Sequence, residues 1–274
     1  MDTIDRDTID RDTIDRGTIA ISGSASGIGA ATAERFRAAG HRVIGIDLHD
    51  AEVLADLSAV DGRRHAIEAV QSLAPDGLDG LVAGAGLGPQ ERPPGRLVAV
   101  NYFGAVTLLE GLLPLLSHGG TSLSPGGAAV VICSNSAGIT PVEDPTVLET
   151  MAAGDEAGAR GAADALHGAI VYGATKLALA RWLRHSVQRW ADRGVRINAV
   201  APGPVETPLF AGSRADPEIG PLVDALPIPF GTISQPRQIA AVIAFLLGPD
   251  SGNCHGSILF SDGGTDALLR PDAL

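Results

Sequence analysis

Tyr172 and Lys176 are the residues of this chain whose types and spacing suggest proton-transfer chemistry. A tyrosine and a lysine four residues apart on a helix share one face, about a turn from each other. To act as a base near neutrality, a tyrosine with a pKa near ~10 needs a fall of roughly 2–3 units, worth about 3–4 kcal/mol. A nearby ammonium favours the phenolate, so the pair is a candidate acid/base site. The alternative is an ordinary amphipathic helix, since this spacing is common by chance.

A glycine-rich turn lies between a predicted strand and a predicted helix near the start of the chain. The apolar run Thr18–Ser22 is followed by Gly23, Gly27 and Gly29, and residues 30–39 favour a helix. Glycines let the backbone approach a pyrophosphate, and the helix N-terminus directs N–H groups and the positive end of its dipole at it. Strand, turn and helix in this order indicate a dinucleotide-binding loop rather than a flexible turn.

Asp47 ends the next apolar run and is the candidate ligand of an adenosine ribose. It follows Gly23 by 24 residues, close to where an acid binds the ribose hydroxyls in a βαβ unit. A carboxylate repels a 2′-phosphate by roughly 4 kcal/mol at ~4 Å and an effective dielectric near ~20, which favours NAD over NADP. Ser26, Leu48 and His49 supply no permanent positive charge. The alternative is an aspartate that merely ends a strand.

Predicted strands and helices alternate along the rest of the chain. The alternation favours an α/β fold, a single domain built on a Rossmann-type doubly wound parallel sheet with helices on both faces. Ligands of such sheets bind at the carboxyl ends of the strands, where Asp47 and Ser134 are expected. Strands are predicted at 42–46, 52–55, 78–83, 128–133, 195–200 and 257–260, a turn at 201–204, and helices at 61–73, around Asn101, around Tyr172 and at 236–247.

The composition describes a globular protein and excludes several classes of partner. Hydrophobic residues make up 45% and charged residues 19% of the 274 residues, which suits one large domain. The net charge of −12 argues against nucleic acid or an anionic membrane as a partner. Isolated Cys133 and Cys254, without a secretory signal, indicate the cytoplasm. The longest uninterrupted apolar run, at 239–247, is too short to span a membrane.

Residues 1–17 are predicted to form a mobile tail ahead of a catalytic domain over residues 18–274. The pentad Asp-Thr-Ile-Asp-Arg runs three times, at 2–6, 7–11 and 12–16. A period of five fits no single face of a helix or strand, so a solvated extension is expected. A misassigned start and a repeat expansion are alternative explanations.

The order of the motifs resembles the short-chain dehydrogenase/reductase family from Thr18 to the C-terminus. Within it, the chain is most similar to the bacterial 3α-hydroxysteroid dehydrogenase/carbonyl reductase branch, and coniferyl-alcohol dehydrogenases are similar too. The family motifs are Gly23-x-x-x-Gly27-x-Gly29, Asn101, Ser134, Tyr172-x-x-x-Lys176 and Pro202-Gly203, and the stretches typical of the branch are 38–47, 86–90, 101–104 and 262–271.

The resemblance implies a catalytic tetrad and an NAD site. Tyr172 would exchange a proton with the substrate oxygen, and Lys176 would lower its pKa and bind the nicotinamide ribose. Ser134, with Ser136 as its nearest rival, would hold the substrate oxygen, and Asn101 would support a water linked to Lys176. The cofactor-binding residues it implies are Gly23, Ser26, Gly27, Ile28, Gly29, Asp47, Asp56, Leu57, Gly84, Ala85, Gly86, Tyr172, Lys176, Pro202, Gly203, Val205 and Thr207, the last at the carboxamide.

Two departures from the family pattern stand out. Where the family usually has Asn-Asn-Ala-Gly, residues 83–86 of this chain are Ala-Gly-Ala-Gly. The change removes an asparagine side chain that normally braces the sheet, but it removes no proton-transfer group. Between Ser134 and Tyr172 lie 37 residues, where the family commonly has about a dozen. Residues 140–170, which make up most of this insertion, are acidic overall, with six Asp or Glu residues and one arginine. Helices are predicted at 145–153 and 155–167. We expect a helical cap beside the active site that alters the subunit contact, or else a surface loop of no consequence.

Several other residues are candidates for the site. Residues 88–90, Pro204, 209–210 and the insertion at 140–170 are candidates for an apolar substrate pocket, and the alternative is that they are core or loop packing. His167 is expected to be structural or solvated within a helix rich in Ala and Gly, and Cys133 to be a buried small side chain. The seven histidines and two cysteines form no recognisable metal-ligand cluster, so no metal is expected.

These patterns together predict an NAD-dependent dehydrogenase/reductase that is a homodimer or homotetramer. Its substrate is expected to be a small hydrophobic alcohol or ketone, namely a hydroxysteroid, a ketone or an aryl alcohol. An epimerase or dehydratase that uses NAD transiently is the alternative of the same fold. A non-catalytic dinucleotide sensor is the alternative from another class, although such proteins typically lose the Tyr or the Lys that this chain retains.

Overall fold

The computed structural model describes residues 17–117, 126–142 and 144–273. The pentad repeats predicted to form a mobile tail lie outside these residues. The strands are β1 Thr18–Ser22, β2 Arg42–Asp47, β3 Val53–Leu54, β4 Gly80–Ala83, β5 Ala128–Ile132, β6 Arg196–Pro202 and β7 Ile258–Ser261. The helices are α1 Gly27–Ala38, α2 Val60–Leu73, α3 Gly95–Leu97, α4 Ala105–Leu116, α5 Ser136–Ile139, α6 Thr146–Ala153, α7 Glu156–Asp164, α8 Gly168–Ala191, α9 Pro208–Ala215, α10 Gly220–Asp224, α11 Pro236–Leu247 and α12 Thr265–Leu269.

One parallel sheet organises the chain. Its strand order is β3-β2-β1-β4-β5-β6-β7, and every pairing is parallel. The central strands β4 and β5 are buried along their whole length, as strands covered on both faces must be. The predicted Rossmann-type α/β fold is therefore confirmed. Because the chain turns from β1 toward β2 on one side and β4 on the other, a crevice opens at the carboxyl ends of these strands.

Helices cover both faces of the sheet. On one face α1 and α11 pack against buried residues of β1, β4 and β5. Phe36 of α1 and Ile239 and Ile243 of α11 belong to this core. On the other face α2, α4 and α8 enclose a larger core that contains Leu108, Leu183 and the fully buried Trp190. The two cores fix the sheet from both sides, so the loops at its carboxyl end are attached to a rigid support.

Several predicted boundaries were wrong. The helix around Asn101 is continuous but passes through a π-helical turn at Val98–Gly104, a widening that hydrophobic periodicity does not reveal. Ala201 and Pro202, predicted to form a turn, extend β6 and pair with β7. The second insertion helix ends at Asp164, and His167 is the N-cap of α8. The short helices α9, α10 and α12 were not predicted at all.

The continuous helical stretch Gly95–Leu116 is longer than the uninterrupted apolar run at 239–247, although polar residues such as Arg96 and Glu110 interrupt it. By length and composition alone this stretch is able to cross a membrane. However, 67% of its most apolar window is buried inside the fold. It therefore packs as a core helix beside the sheet.

Candidate active site

The glycine loop after β1 packs so closely against neighbouring backbone that two of its positions have no room for a side chain. Gly23 has φ +74°, and a Cβ atom there would lie 2.8 Å from the backbone of Ala85. At Gly29, a Cβ atom would lie 1.9 Å from the carbonyl oxygen of Gly23. Both positions therefore require glycine. No side chain caps the N-terminus of α1, so its first N–H groups remain available to an anion in the cleft.

Asp47 stands at the carboxyl end of β2 beside this loop. Its Oδ2 accepts a hydrogen bond from the backbone N–H of Ala25 at 2.9 Å, and its Oδ1 accepts from the N–H of Leu48 at 2.7 Å. Each carboxylate oxygen has a second lone pair, so the group retains acceptor capacity toward the cleft. Asp47 thus shapes the glycine loop and also presents its charge to the cleft.

Asp56 and Leu57 follow the edge strand β3 and line the same cleft. Hydrogen bonds from Ser58 hold the pKa of Asp56 below its ordinary value, and the charges of Arg96 and Arg63 contribute to the same direction. Since β3 lies beyond β2 in the sheet, this turn is on the side where the adenosine half of a dinucleotide binds.

The segment after β4 is braced in a different way from the family pattern. The hydroxyl of Ser22 accepts hydrogen bonds from the N–H groups of Gly84 at 3.1 Å and Ala85 at 3.2 Å. The buried side chain of Asn101 pairs with both backbone groups of Leu87, at 2.8 Å to the N–H and 3.1 Å to the carbonyl. Ser22 and Asn101 together hold this segment in place.

Tyr172 and Ser134 lie together at the floor of the cleft. α8 carries Tyr172, and Ser134 follows β5; both line the cleft, and Ser134 lies close enough to lower the pKa of Tyr172 through its hydroxyl. Ser134 Oγ also accepts from the N–H of Ser136 at 3.2 Å. Within the described part of the chain, the buried hydroxyl of Ser136 itself has no partner. Of the two serines, Ser134 is therefore the one in contact with the tyrosine.

Lys176 is buried one turn after Tyr172. Its Nζ lies 5.7 Å from the centre of the Tyr172 ring and donates to the carbonyl oxygen of Ile132 at 3.0 Å. Lys176 is the only lysine of the chain, where every other permanent cation is an arginine. Sequence reasoning overlooked this signal, although a compact ammonium and a guanidinium serve different purposes.

The pKa of Tyr172 is displaced in the direction opposite to the one expected, and burial is the cause. Although the ring keeps partial exposure to the cleft, burial raises the pKa of Tyr172, and the hydrogen bond with Ser134 offsets this only in part. Burial also lowers the pKa of Lys176. Low polarity around the pair therefore disfavours the phenolate and the ammonium alike.

The turn after β6 closes the opposite wall of the cleft. Gly203 approaches Asp262 so closely that a Cβ atom would lie 2.9 Å from the Asp262 backbone. The hydroxyl of Thr207 caps α9, accepting from the N–H of Phe210 at 3.1 Å and donating to the carbonyl of Val205 at 3.2 Å. Thr207 therefore fixes the start of α9 as well as lining the cleft.

A single cleft of about 700 Å³ brings the predicted site residues together. All seventeen residues predicted to bind the cofactor line it, as does Ser134, whereas Asn101 is buried behind the wall. The apolar part of the wall includes Pro89, Pro204, Leu209 and Phe210 from the predicted substrate contacts. Pro141 and Ile170 come from the insertion, which was also a predicted contact, whereas sequence reasoning missed other apolar residues of the wall, among them Leu87, Ile139, Ile219, Leu222, Val223 and Leu226.

The insertion does not cover the cleft. Thr140, Pro141, Ala169 and Ile170, at its ends, contribute to the wall, but α6 and α7 do not. Fully buried residues of α6 and α7 belong instead to the larger core. The two helices are therefore part of the core, whereas a cap beside the active site that alters the subunit contact stays a prediction.

Two further side chains take no part in the chemistry. Burial raises the pKa of Cys133 to about 11, so its thiol is protonated and unreactive at neutral pH. His167 caps α8 through Nδ1, which accepts from the N–H of Ala169 at 3.3 Å. Among residues 17–117, 126–142 and 144–273, no three His, Cys, Asp or Glu side chains converge as metal ligands.

Two family models match consecutive parts of the chain. The model described as short chain dehydrogenase matches residues 17–145, and the model described as enoyl-(acyl carrier protein) reductase matches residues 156–266. The 3-alpha-hydroxysteroid dehydrogenase/carbonyl reductase of Comamonas testosteroni is 42% identical over 92% of this chain and 98% of its own length. The coniferyl-alcohol dehydrogenase of Pseudomonas sp. is 32% identical over 90% of this chain and 95% of its own.

A solved structure extends the similarity to the whole fold. The 3-alpha-hydroxysteroid dehydrogenase from Pseudomonas sp. B-0831, complexed with NADH, has a TM-score of 0.90 and 46% sequence identity. The match covers 94% of this chain and 100% of that one.

Proposed function

Because this chain belongs to the short-chain dehydrogenase/reductase family of oxidoreductases, we propose that it transfers a hydride between NAD(H) and a hydrophobic alcohol or ketone. The observation that carries the proposal is the pair of neighbouring hydroxyls, Tyr172 and Ser134, in a cleft that the glycine loop and Asp47 also line. A hydroxysteroid, a simple ketone and an aryl alcohol are the substrate classes that the similar proteins support.

The cleft fits NAD by the shape and chemistry of its own residues. Gly23 and Gly29 leave no room for a side chain, which brings the backbone to the surface where a pyrophosphate would lie. Asp47 offers free acceptor lone pairs to ribose hydroxyls. A Cβ atom on Gly86 would lie 3.4 Å from Asn101 Oδ1 and 3.7 Å from Lys176 Nζ, so this glycine keeps the wall open beside the ammonium.

Proton transfer to the substrate falls to Tyr172. When bound, the nicotinamide supplies or accepts the hydride. In the reductive direction the neutral phenol of Tyr172 donates its proton to the carbonyl oxygen, and the hydroxyl of Ser134 donates a hydrogen bond to the same atom. Lys176, held by the carbonyl of Ile132, places a positive charge within 6 Å of the phenol and favours the anion that this step leaves behind.

The substrate side of the cleft selects for an apolar molecule. Leu209 and Phe210 of α9 and Leu222 and Val223 of α10 line this wall. Apart from Arg96 and the acids on the cofactor side, the described residues that line the cleft carry no charge besides Lys176. A charged substrate would lose its hydration there without a partner, whereas a steroid, aryl or alicyclic skeleton would not.

The proposal is tested by turnover of a substrate panel. Hydroxysteroids, aryl alcohols and simple ketones are assayed with NAD(H) and NADP(H) side by side, following the absorbance of the reduced nicotinamide. We expect turnover with at least one apolar class, and a preference for NAD(H). Binding of NADH without turnover of any member would favour a dinucleotide sensor instead.

Neutralising Asp47 should weaken the preference for NADH. In Asp47→Asn the repulsion of a 2′-phosphate is lost, and the ratio of kcat/KM for NADH to that for NADPH should fall by about tenfold or more. The matched control is Asp50→Asn, because Asp50 is exposed and does not line the cleft. An unchanged ratio in Asp47→Asn, or an equal fall in both variants, would remove the role given to Asp47.

The two directions of the reaction should differ in pH dependence. Reduction needs the phenol, and the raised pKa of Tyr172 keeps it protonated, so kcat/KM for the ketone should stay level from about pH 6 to about pH 9. Oxidation needs the phenolate, so its kcat/KM should rise across the same range. Initial rates with saturating cofactor provide both profiles. A reductive rate that falls steadily from neutral pH upward would contradict this assignment.

We also propose that the protein is a cytoplasmic homodimer or homotetramer. Cys133 and Cys254 are free thiols, as a reducing compartment requires. Leu259 and Phe260 of β7 and Leu268 of α12 are exposed apolar side chains that a second copy would cover. Light scattering measures the mass, and a monomer at micromolar concentration would contradict the oligomer.

A further inference from the structure

The ion pair between Arg63 and Glu156 joins the insertion to the cofactor side of the cleft. We propose that α7 is a brace for the turn at Asp56–Leu57, with Arg63 and Glu156 as the positioning residues that set adenosine binding. The inference rests on the proposed function, because it assigns the adenosine half of NAD to that turn.

Arg63 makes contacts in two directions. Toward the insertion, its Nη1 and Nη2 donate to the two carboxylate oxygens of Glu156 at 2.9 and 2.6 Å. Toward the cleft, Nε donates to the carbonyl oxygen of Leu57 at 3.0 Å, and Nη2 lies 3.4 Å from that of Ser58. The guanidinium of Arg63 thus connects the backbone of the turn to Glu156, which lies 93 positions after Arg63 in the sequence.

The position of this guanidinium is unfavourable without its partner. Arg63 is 4% exposed and lies in the first turn of α2, where the helix dipole disfavours a cation. A buried charge that loses its partner is strongly destabilised. Neutralising Glu156 should therefore shift the guanidinium, and the carbonyls of Leu57 and Ser58 that it holds should shift with it.

The other end of α7 is fixed independently. Asp164 Oδ1 accepts a hydrogen bond from the N–H of Gly95 at 2.6 Å, and Ala159 and Ala163 between the two ends are fully buried. A Cβ atom on Gly95 would lie 2.6 Å from Asp164, so the helix sits directly on the start of α3. Glu156 is therefore presented from a helix that cannot move freely, which is what a brace requires.

The test compares two matched glutamates of the insertion. Glu156→Gln removes the charge facing Arg63, whereas Glu149→Gln makes the same change at an exposed residue of α6 that also lies in a first helical turn. We expect the dissociation constant of NADH, measured by fluorescence at 25 °C, to rise by about fivefold or more in Glu156→Gln and to stay unchanged in Glu149→Gln. The kcat at saturating NADH should stay within about twofold of wild type, since the reacting end of the cleft is not touched.

Fragments of the cofactor separate a local effect from a general loss of structure. The inhibition constant of 5′-AMP should rise together with the NADH constant in Glu156→Gln, while that of nicotinamide mononucleotide should not change. Arg63→Lys keeps the positive charge but loses the paired N–H donors of the guanidinium. It should therefore raise the inhibition constant of 5′-AMP in the same way. Thermal unfolding confirms that each variant is folded at the assay temperature.

Several outcomes would overturn the brace. They are an unchanged NADH constant in Glu156→Gln, an equal weakening of both fragments, or failure of both Glu156→Gln and Arg63→Lys to fold, which would mean that the ion pair supports the whole domain. Wild-type protein that fails to bind NADH at all would instead contradict the proposed function.

Discussion

Replacing Tyr172 by phenylalanine should lower kcat for ketone reduction by about 10³-fold while leaving the NADH dissociation constant within about twofold of wild type. Phenylalanine keeps the ring in place on α8 but has no proton to give to the substrate oxygen. It also leaves Ser134 without its hydroxyl partner. Because the lost interaction acts on the reacting oxygen and not on the cofactor, the effect should fall on kcat and not on cofactor binding.

The chain offers a matched control for this variant. Tyr102 is the only other tyrosine; it is buried and packs edge-on against Phe103, away from the cleft. Tyr102→Phe makes the same chemical change in the core and should keep wild-type turnover. Steady-state kinetics and NADH fluorescence titration are measured for both. Turnover by Tyr172→Phe at the wild-type rate would show that another group donates the proton.

Replacing Lys176 by methionine should lower kcat by about 10²-fold or more and at the same time raise the melting temperature. The loss of rate follows from removing the charge beside the phenol. The gain in stability follows from burial, which lowers the pKa of Lys176. A lowered pKa means that the protonated amine is less stable in the folded chain than in the unfolded chain. Methionine removes this penalty together with the hydrogen bond to Ile132, and we expect the first loss to outweigh the second.

The sign of this effect depends on pH. Below the lowered pKa of Lys176 the penalty is fully present, and it disappears as the pH rises from that value toward the ordinary lysine value of 10.5. The difference in melting temperature between Lys176→Met and wild type should therefore become smaller as the pH rises through this window. Because Lys176 is the only lysine, NMR of protein labelled at lysine Cε reports its pKa from one side-chain resonance. A resonance that titrates at or above 10.5 would contradict the account.

Local patterns predicted the parts of the site that depend on one element at a time. Tyr172 and Lys176 share a face because they are four residues apart on α8, and Asp47 reaches the cleft because it ends β2. The glycine loop was predictable because only glycine fits at Gly23 and Gly29. In each case the chemistry follows from periodicity or from a steric requirement within about thirty residues.

The features that the sequence did not predict arise from distant contacts or from the solvent. No local pattern connects Arg63 with Glu156, which lie 93 positions apart. The helices α9 and α10, which supply much of the apolar wall, are short and carry a proline at their first or second position, so they lack a long periodic signal. The pKa of Tyr172 rises because the fold excludes water from the phenol, and exclusion of water depends on the whole cleft rather than on the residue four positions away.

The most direct test of the central claim follows the hydrogen itself. Wild-type protein is incubated with NADH that carries deuterium at both C4 positions of the nicotinamide and with a ketosteroid or aryl ketone that it turns over, and the product alcohol is analysed by mass spectrometry. We predict an alcohol with deuterium on the former carbonyl carbon, formed by wild type and Tyr102→Phe but at a greatly reduced rate by Tyr172→Phe. An alcohol without deuterium, or equal rates in all three proteins, would contradict hydride transfer in this cleft with Tyr172 as the proton donor.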